Sequence, residues 1–313
     1  MKRLSTCMVA VLAVFAAGMV PAGATGFDTD LQMAARGKTL VLGRVSDDSV
    51  KTLKRLGPMA DYIAKQLGHL GYTAGEPVVA RSNEEMADLI RSGEVDIVSE
   101  TALSALWFAE SVDAQPLMRE WKKGVAAYQS VLIGKKGSGL NRLEDLRDKV
   151  VAFEDPGSTS GFLYPLAALR QAGLDPVPVK RGQKPPAGKV GYVFTRGEVN
   201  VATWVARGLA DAGAISNLDW EDIARTPGIL KSEIEVFYEG TPILRSVLLV
   251  RGDLDDSVKS AIRQVLAAME NDAEGKRVLK AYYKVKRYDE IVGSVADDLD
   301  QLRALYPLVK DAM

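Results

Sequence analysis

The sequence predicts an α/β protein of two lobes, each a mostly parallel sheet flanked by helices. Three observations carry that reading. Apolar, strand-length runs alternate with one-faced helical stretches from Thr39 to Val98. The alternation restarts after Trp121 with strands of its own. The chain has 313 residues, enough for one large or two medium α/β domains.

Thr39 to Val45 is the first strand; Leu40, Val41 and Leu42 are consecutive, as in a strand buried on both faces. Pro58 is expected to open a helix with Met59, Ile63 and Leu67 at four-residue spacing, ended by Gly68 and Gly71. Pro77 to Ala80 is a strand, Glu84 to Arg91 a helix stopped by Gly93, and Val95 to Val98 a third strand. Strand, helix, strand, helix, strand gives a parallel sheet with helices on its faces. The second set begins with a strand from Tyr128 to Gly134, the turn Gly137-Ser138-Gly139 and a short helix from Leu143 to Arg147. Val150 to Phe153 is a strand leading into a helix, and Pro176 to Lys180 and Val190 to Phe194 are strands around the loop Lys184 to Gly188. Val199 to Arg207 reads as a helix, and Ala210 to Ile215 as a strand. Glu235 to Tyr238 and Ser246 to Val250 are strands flanking Gly240-Thr241-Pro242, and the chain is helical from Asp256, with Val258, Ile262, Val265 and Leu266 on one face. Tyr128 to Val131 and Gly240 to Ser246 are the expected crossings, so one lobe takes residues 25–127 plus 246–313 and the other 128–245. The alternative is one doubly wound domain, whose open sheet would have to exceed ~10 strands or curl.

The first 24 residues read as an export signal. Lys2 and Arg3 precede an apolar stretch from Met8 to Val20, and Ala22-Gly23-Ala24 fits a small-x-small cleavage site, which places the mature protein in a bacterial periplasm. An uncleaved anchor is the alternative, although the stretch is short for a membrane span. Cys7 is the only cysteine and leaves with the signal, which removes disulfides, thiol nucleophiles and cysteine-bound metal from consideration. Loss of Lys2 and Arg3 leaves 38 basic against 41 acidic residues, a net charge near −3. No basic excess is present to hold nucleic acid or an anionic membrane, so an anionic ligand has to be held by local geometry.

That geometry is offered by Asp155-Pro156-Gly157-Ser158-Thr159-Ser160-Gly161, a hydroxyl- and glycine-rich loop between the strand Val150 to Phe153 and a helix. The first amides of a helix have no internal acceptor and the dipole is positive there. One capping residue satisfies a helix start. Three hydroxyls in a row exceed that need and suit an oxyanion seat. Hydrogen bonds to a charged group contribute ~1.5–3 kcal/mol each, and micromolar binding requires about 8 kcal/mol. Roughly half of the four to six bonds needed can come from the motif, and the rest must come from the facing lobe.

Together these residues resemble the phosphate/phosphite/phosphonate-binding periplasmic proteins of ABC importers. The Asp-Pro-x-Ser-Thr-Ser-Gly core carries the likeness. Pro58-Met59-Ala60-Asp61-Tyr62, the segment from Trp121-Lys122-Lys123-Gly124 to Tyr128-Gln129-Ser130-Val131, and Gly208-Leu209-Ala210-Asp211-Ala212-Gly213-Ala214 extend it over roughly residues 38 to 290. The resemblance implies a two-lobed periplasmic binding protein of type II, the Venus-flytrap form. A small oxyanion would be held between the lobes by Ser158, Thr159, Ser160 and Gly161, then delivered to a permease in the inner membrane or shown to a sensor kinase. It implies a monomer with no cofactor and no metal. The chain departs from many members in two places: Val98-Ser99-Glu100-Thr101-Ala102-Leu103-Ser104 stands where they carry Gly-Pro-x-x-Tyr, and Thr195-Arg196-Gly197-Glu198-Val199-Asn200 stands where they carry a histidine.

Glu100 and Thr101 end the third strand, at the edge where open parallel sheets bind ligands. Thr101 can donate to an oxyanion. Glu100 repels a dianion unless the ligand is protonated or carries an amine; otherwise it points to solvent or pairs with a base such as Arg44. Arg44 and Ser46 follow the first strand at the same edge; the guanidinium either grips an oxyanion or stays solvated. Asn200 and Asn217, with Asp219, are expected to face the neutral part of a ligand, whereas Trp204 reads as core and His69 as a surface turn residue. An enzyme needs a nucleophile with a positioned base, or a metal cluster, and no such constellation is marked in the sequence.

Overall fold

The computed structural model describes residues 37–222 and 225–313, so the export-signal reading lies outside the described residues. The chain begins with β1 (Lys38–Val45), α1 (Ser49–Gln66), β2 (Tyr72–Ala80), α2 (Asn83–Arg91), β3 (Ile97–Glu100), α3 (Ala102–Val112) and β4 (Gln115–Glu120). It continues through β5 (Ala127–Tyr128), β6 (Ser130–Lys135), β7 (Val150–Phe153), α4 (Tyr164–Gln171), β8 (Pro176–Pro178) and β9 (Val190–Phe194). Then follow α5 (Glu198–Ala206), β10 (Ala212–Ser216), α6 (Asn217–Glu221), α7 (Gly228–Lys231), β11 (Ile234–Glu239), β12 (Ile243–Leu244) and β13 (Val247–Val250). The chain closes with α8 (Asp256–Ala268), α9 (Ala273–Ala281), β14 (Tyr288–Glu290) and α10 (Ser294–Leu305).

Two six-stranded sheets result, ordered β14-β4-β13-β3-β1-β2 and β11-β6-β10-β7-β9-β8. Each is mixed. Strands joined by crossover helices run parallel, as in β2-β1-β3 and β10-β7-β9-β8. Strands that return directly or arrive from the other half of the chain pair antiparallel, as β13 does with β3 and β4 and β6 with β10 and β11. Between them, β5 and β12 form a two-stranded antiparallel link, Tyr128 opposite Ile243.

Helix α1 begins well before Pro58. The Asp48 carboxylate accepts from the Lys51 amide at 3.1 Å and starts the helix there. Pro58 lies in its interior on an exposed face, where the Lys54 carbonyl that loses its helical partner can reach water. The buried stripe of Leu56, Met59, Tyr62 and Ile63 keeps the helix on the sheet through that break. Gly75 sets how closely it lies: a Cβ there would sit 2.2 Å from the Ala60 carbonyl oxygen. Strand β3 runs two residues further than its apolar run, because Ser99 and Glu100 pair with Leu248 and Val247 of β13.

One apolar cluster runs from Leu103 and Phe108 of α3 through Phe153, Phe162 and Leu166 to Leu302 and Tyr306, joining the helices of both sheets. The C-terminal residues reach across to α4, where the Arg170 guanidinium pairs with Asp311 at 2.6 Å. The carboxyl ends of β1, β3, β7 and β10 converge on one cavity.

Candidate functional site

The cavity occupies about 220 Å³. The handover from β7 to α4 forms one side. Ser158 caps the following turn: its Oγ accepts from the Gly161 amide at 2.9 Å and donates to Glu154 Oε2 at 2.7 Å. Gly161 is sterically required, since a Cβ would fall 2.7 Å from Glu154 Oε2 and 2.8 Å from Ser158 Oγ. Thr159–Leu163 is a π-helical turn; the Leu163 amide reaches back to the Ser158 carbonyl at 2.9 Å. Pro165 then starts the regular helix after this wide turn. The turn leaves the Thr159 and Ser160 amides without an intrahelical acceptor.

The three hydroxyls separate into different tasks. Ser160 lies on the cavity wall that Tyr128 also lines, while its carbonyl accepts from Ser130 Oγ at 2.7 Å. Thr159 is fully buried away from the cavity, with its Oγ1 accepting from the Leu103 amide at 3.2 Å at the start of α3. Thr101 and Ser104 both donate to the Gly157 carbonyl, at 3.1 and 3.2 Å. Hydroxyl groups therefore stitch the motif loop to α3 as well as lining the cavity.

The cavity walls carry opposite charge. Arg44, Lys122 and Arg245 supply three cations. Arg44 donates to the Ser99 carbonyl at 2.8 Å and to Ser99 Oγ at 3.1 Å, and it stacks 4.7 Å from the centre of the Tyr283 ring. Burial works against its charge, but Glu100, Tyr283, Tyr282 and Glu120 hold its pKa above the ordinary value. Burial, and then repulsion by Arg44, push the Lys122 ammonium down to about 7. Burial lowers the Arg245 guanidinium as well. Arg245 lies over the Tyr128 ring at 5.2 Å, and burial pushes that phenol up to about 12.

Glu100, Glu154, Asp155, Glu198 and Asp219 supply five carboxyls. Burial, reinforced by Glu198 and Asp155, raises the Glu154 pKa well above the usual carboxylate range. Burial lifts Asp155 to about 6, opposed by the Gly157 amide, which donates to it at 2.9 Å. Asp219 is raised by burial and by Glu198, while the Ser216 hydroxyl stabilises its charge. Glu100 is raised by burial and tempered by Arg44 and by the Val45 amide at 2.7 Å. Glu198 pairs with Arg225 at 3.3 Å. Among the described residues no cluster of histidine, cysteine or acidic side chains is arranged to hold a metal ion.

Arg44, Glu100, Thr101, Ser158 and Ser160 thus meet at the cavity. Arg44 is buried, not solvated, and Glu100 faces Arg44, not solvent. Ser46 accepts from Thr52 Oγ1 at 2.9 Å and lines an outer chamber of about 610 Å³, which shares Arg44, Glu154, Asp155 and Glu198 with the inner cavity. Thr159 and Gly161 lie behind the wall. Asn200 is outside it: its amide caps the Thr195 and Arg196 carbonyls on the exposed start of α5. Asn217 is outside too, because its side chain is turned to the Gln129 amide at 2.9 Å. His69 is exposed and Trp204 lies half-buried under Arg181. Sequence reasoning missed Lys122, Tyr128, Glu154 and Arg245 as site residues. Arg245 did leave a signal: it is a lone cation inside Ile243-Leu244-Arg245-Ser246-Val247-Leu248, where an apolar run has no packing use for it.

Residues 42–295 match the family described as the periplasmic substrate-binding protein of the phosphonate ABC transporter. XAC2383 from Xanthomonas citri, solved bound to chloride and bound to ATP, is 29% and 28% identical, with TM-scores of 0.85 and 0.83; each match covers 88% of this chain and 99% of that one. PhnD1 from Prochlorococcus marinus (MIT 9301), solved with methylphosphonate, shares the fold at 21% identity and a TM-score of 0.64, over 87% of this chain and 98% of that one. The phosphate-import protein PhnD of Mycolicibacterium smegmatis is 30% identical over 147 residues, 46% of this chain; the match spans less than half, 44%, of that relative. No helix among the described residues is long and apolar enough to cross a membrane. The chain belongs to the periplasmic phosphonate-binding proteins of ABC transporters.

Proposed function

We propose that this protein captures a small tetrahedral oxyanion of the phosphate, phosphite and phosphonate class between its two lobes and delivers it to an ABC importer in the inner membrane. The lobes are residues 25–127 with 246–313, and residues 128–245. The carrying observation is that the helix start at Ser158 to Ser160 borders a cavity that gathers Arg44, Lys122 and Arg245 in one group and Glu154, Asp155, Glu198 and Asp219 in another. A bare phosphate dianion placed there meets Glu154 and Asp155 as well as the amides. A phosphonate whose far end is an ammonium satisfies both walls, with the oxyanion toward Ser160 and the cations and the ammonium toward Glu154, Glu198 and Asp219. The ATP held by the Xanthomonas relative supports a phosphoryl-bearing ligand, and the outer chamber leaves room for a substituent.

Calorimetry against phosphate, phosphite, methylphosphonate, aminoethylphosphonate, sulfate and arsenate tests the reading. Aminoethylphosphonate is expected to bind most tightly. Absence of heat across the whole panel overturns the function. Equal affinity for phosphate and aminoethylphosphonate removes the ammonium from it.

A further inference from the structure

We propose that Arg245, flanked by Lys122 and Arg44, is the seat that takes the anionic end of the ligand, so that the oxyanion is gripped by a guanidinium as well as by the helix start. This rests on the reading of the cavity as a solute site and adds the residue that anchors the charge.

Arg245 is only 9% exposed, and its Nε and Nη1 are buried with no hydrogen-bond partner. Among the described residues no carboxylate stands within ion-pair distance of it. The other two cations differ. Arg44 has committed donors to Ser99, and the Lys122 ammonium lies 4.9 Å from the centre of the Tyr283 ring. Among the described residues only Arg245 combines a buried charge with idle donors on this cavity wall. A buried cation without a partner is strongly unfavourable, more so beside two others, and a bound oxyanion is the group that relieves it.

The position of the side chain is fixed from behind. Its backbone amide donates to the Ala126 carbonyl at 3.0 Å, beside the β5–β12 link. Its guanidinium rests on Tyr128, which lines the cavity together with Ser160. Guanidinium, phenol and helix start therefore line the same cavity, and one oxyanion between Ser160 and Arg245 reaches a guanidinium and a helix start together. Guanidinium donors suit a phosphonate or carboxylate and carry their charge at every physiological pH.

The test follows the Arg245 Nε–Hε signal by NMR, identified by its loss in Arg245→Met, while methylphosphonate, phosphate, sulfate or acetate is added; calorimetry on the same samples gives Kd. Methylphosphonate is expected to shift and sharpen that signal. Arg245→Met should weaken its binding by at least about 30-fold, the loss of a charge-assisted contact, and Arg245→Lys by less. The ligand-free melting temperature of Arg245→Met should equal or exceed that of the wild type, since an unpaired buried charge is gone. Should Arg245→Met not fold, Arg245→Lys and the wild-type signal decide alone. Measured binding with an unmoved Arg245 signal, or an Arg245→Met Kd within about threefold of wild type, overturns the seat and leaves the proposed function standing. A signal moved by acetate or sulfate, with no heat from any phosphorus compound, keeps the seat and overturns the proposed ligand. Silence in every arm overturns both.

Discussion

The cationic and acidic walls of the cavity are built by different means. The core of the acidic wall is local: Glu154, Asp155, Gly157, Ser158 and Gly161 are neighbours in sequence and satisfy one another through short hydrogen bonds, and Glu198 and Asp219 join them from α5 and α6. The cationic wall is assembled at long range from the end of β1, the residue after the β4–Trp121 corner and the residue before Ser246 and β13. The acidic wall carries groups whose charge is suppressed by burial and by one another. The cationic wall carries one group, Arg245, whose charge has nothing bound to it. A protein shaped only for stability would have neither; both sit where a two-ended ligand would neutralise them together.

Ser160→Asp attacks the contrast most directly. It adds a carboxylate where the helix start meets Tyr128, extending the acidic wall into the oxyanion position. Like-charge contact of this kind is worth several kcal/mol, so methylphosphonate and aminoethylphosphonate affinity should fall by more than about 100-fold by calorimetry. Far-UV circular dichroism should stay that of the wild type. Retained affinity would place the oxyanion elsewhere.

Gly161→Ala strikes the local construction of the acidic wall. The new methyl overlaps Glu154 and Ser158, and the expected loss is about 2 kcal/mol in chemical denaturation. An unchanged midpoint would show that the motif loop yields without strain.

The acidic wall also predicts a pH dependence. Asp155, lifted to about 6, and Glu154, lifted well above the usual carboxylate range by burial, bind protons more readily folded than unfolded. Their contribution to stability is complete below the ordinary carboxylate range and is lost as pH rises, for Asp155 through about 6. Asp155 alone accounts for about 2 kcal/mol once its partial exposure is allowed for. Lys122 has the opposite sign and acts only above about 7, since its pKa is depressed by burial in the folded state. The ligand-free melting temperature should therefore drop by ~5 °C between pH 4.5 and 6.5. A rise over that interval would mean that these carboxyls are charged and paired in the folded chain.

Glu198→Gln gives the smallest effect and the finest separation of the walls. It breaks the Arg225 pair but also removes a charge facing Glu154 and Asp219. Aminoethylphosphonate should weaken about fivefold, near 1 kcal/mol, while methylphosphonate holds or tightens. Parallel changes in both ligands would show that Glu198 does not sense the ammonium.

The same contrast explains what could be read without coordinates. The strand and helix sequence from Thr39 to Phe194 was legible because apolar period and glycine punctuation are local signals. Pro58 misled, since the Asp48 cap and the buried stripe act beyond a single proline. Ser158 and Ser160 were legible as a helix start, and both line the cavity. Thr159 was not distinguishable from them, because its diversion to the Leu103 amide depends on α3 packing 56 residues away in sequence. Asn200 and Asn217 carry suitable amides, yet each is spent on a nearby backbone group.

By itself the sequence determined the α/β alternation, the anion-competent turn from Asp155 to Gly161 and the family. All of these are written in residue order, where hydrophobic period, capping and φ freedom act over a few positions. Only the tertiary structure decided that Arg44, Lys122 and Arg245 share one wall, that Glu100 is buried against Arg44, and that Arg245 keeps its donors free. Charge placement of that kind depends on distances between segments more than fifty residues apart, which sheet order and the β5–β12 link set and no local pattern encodes.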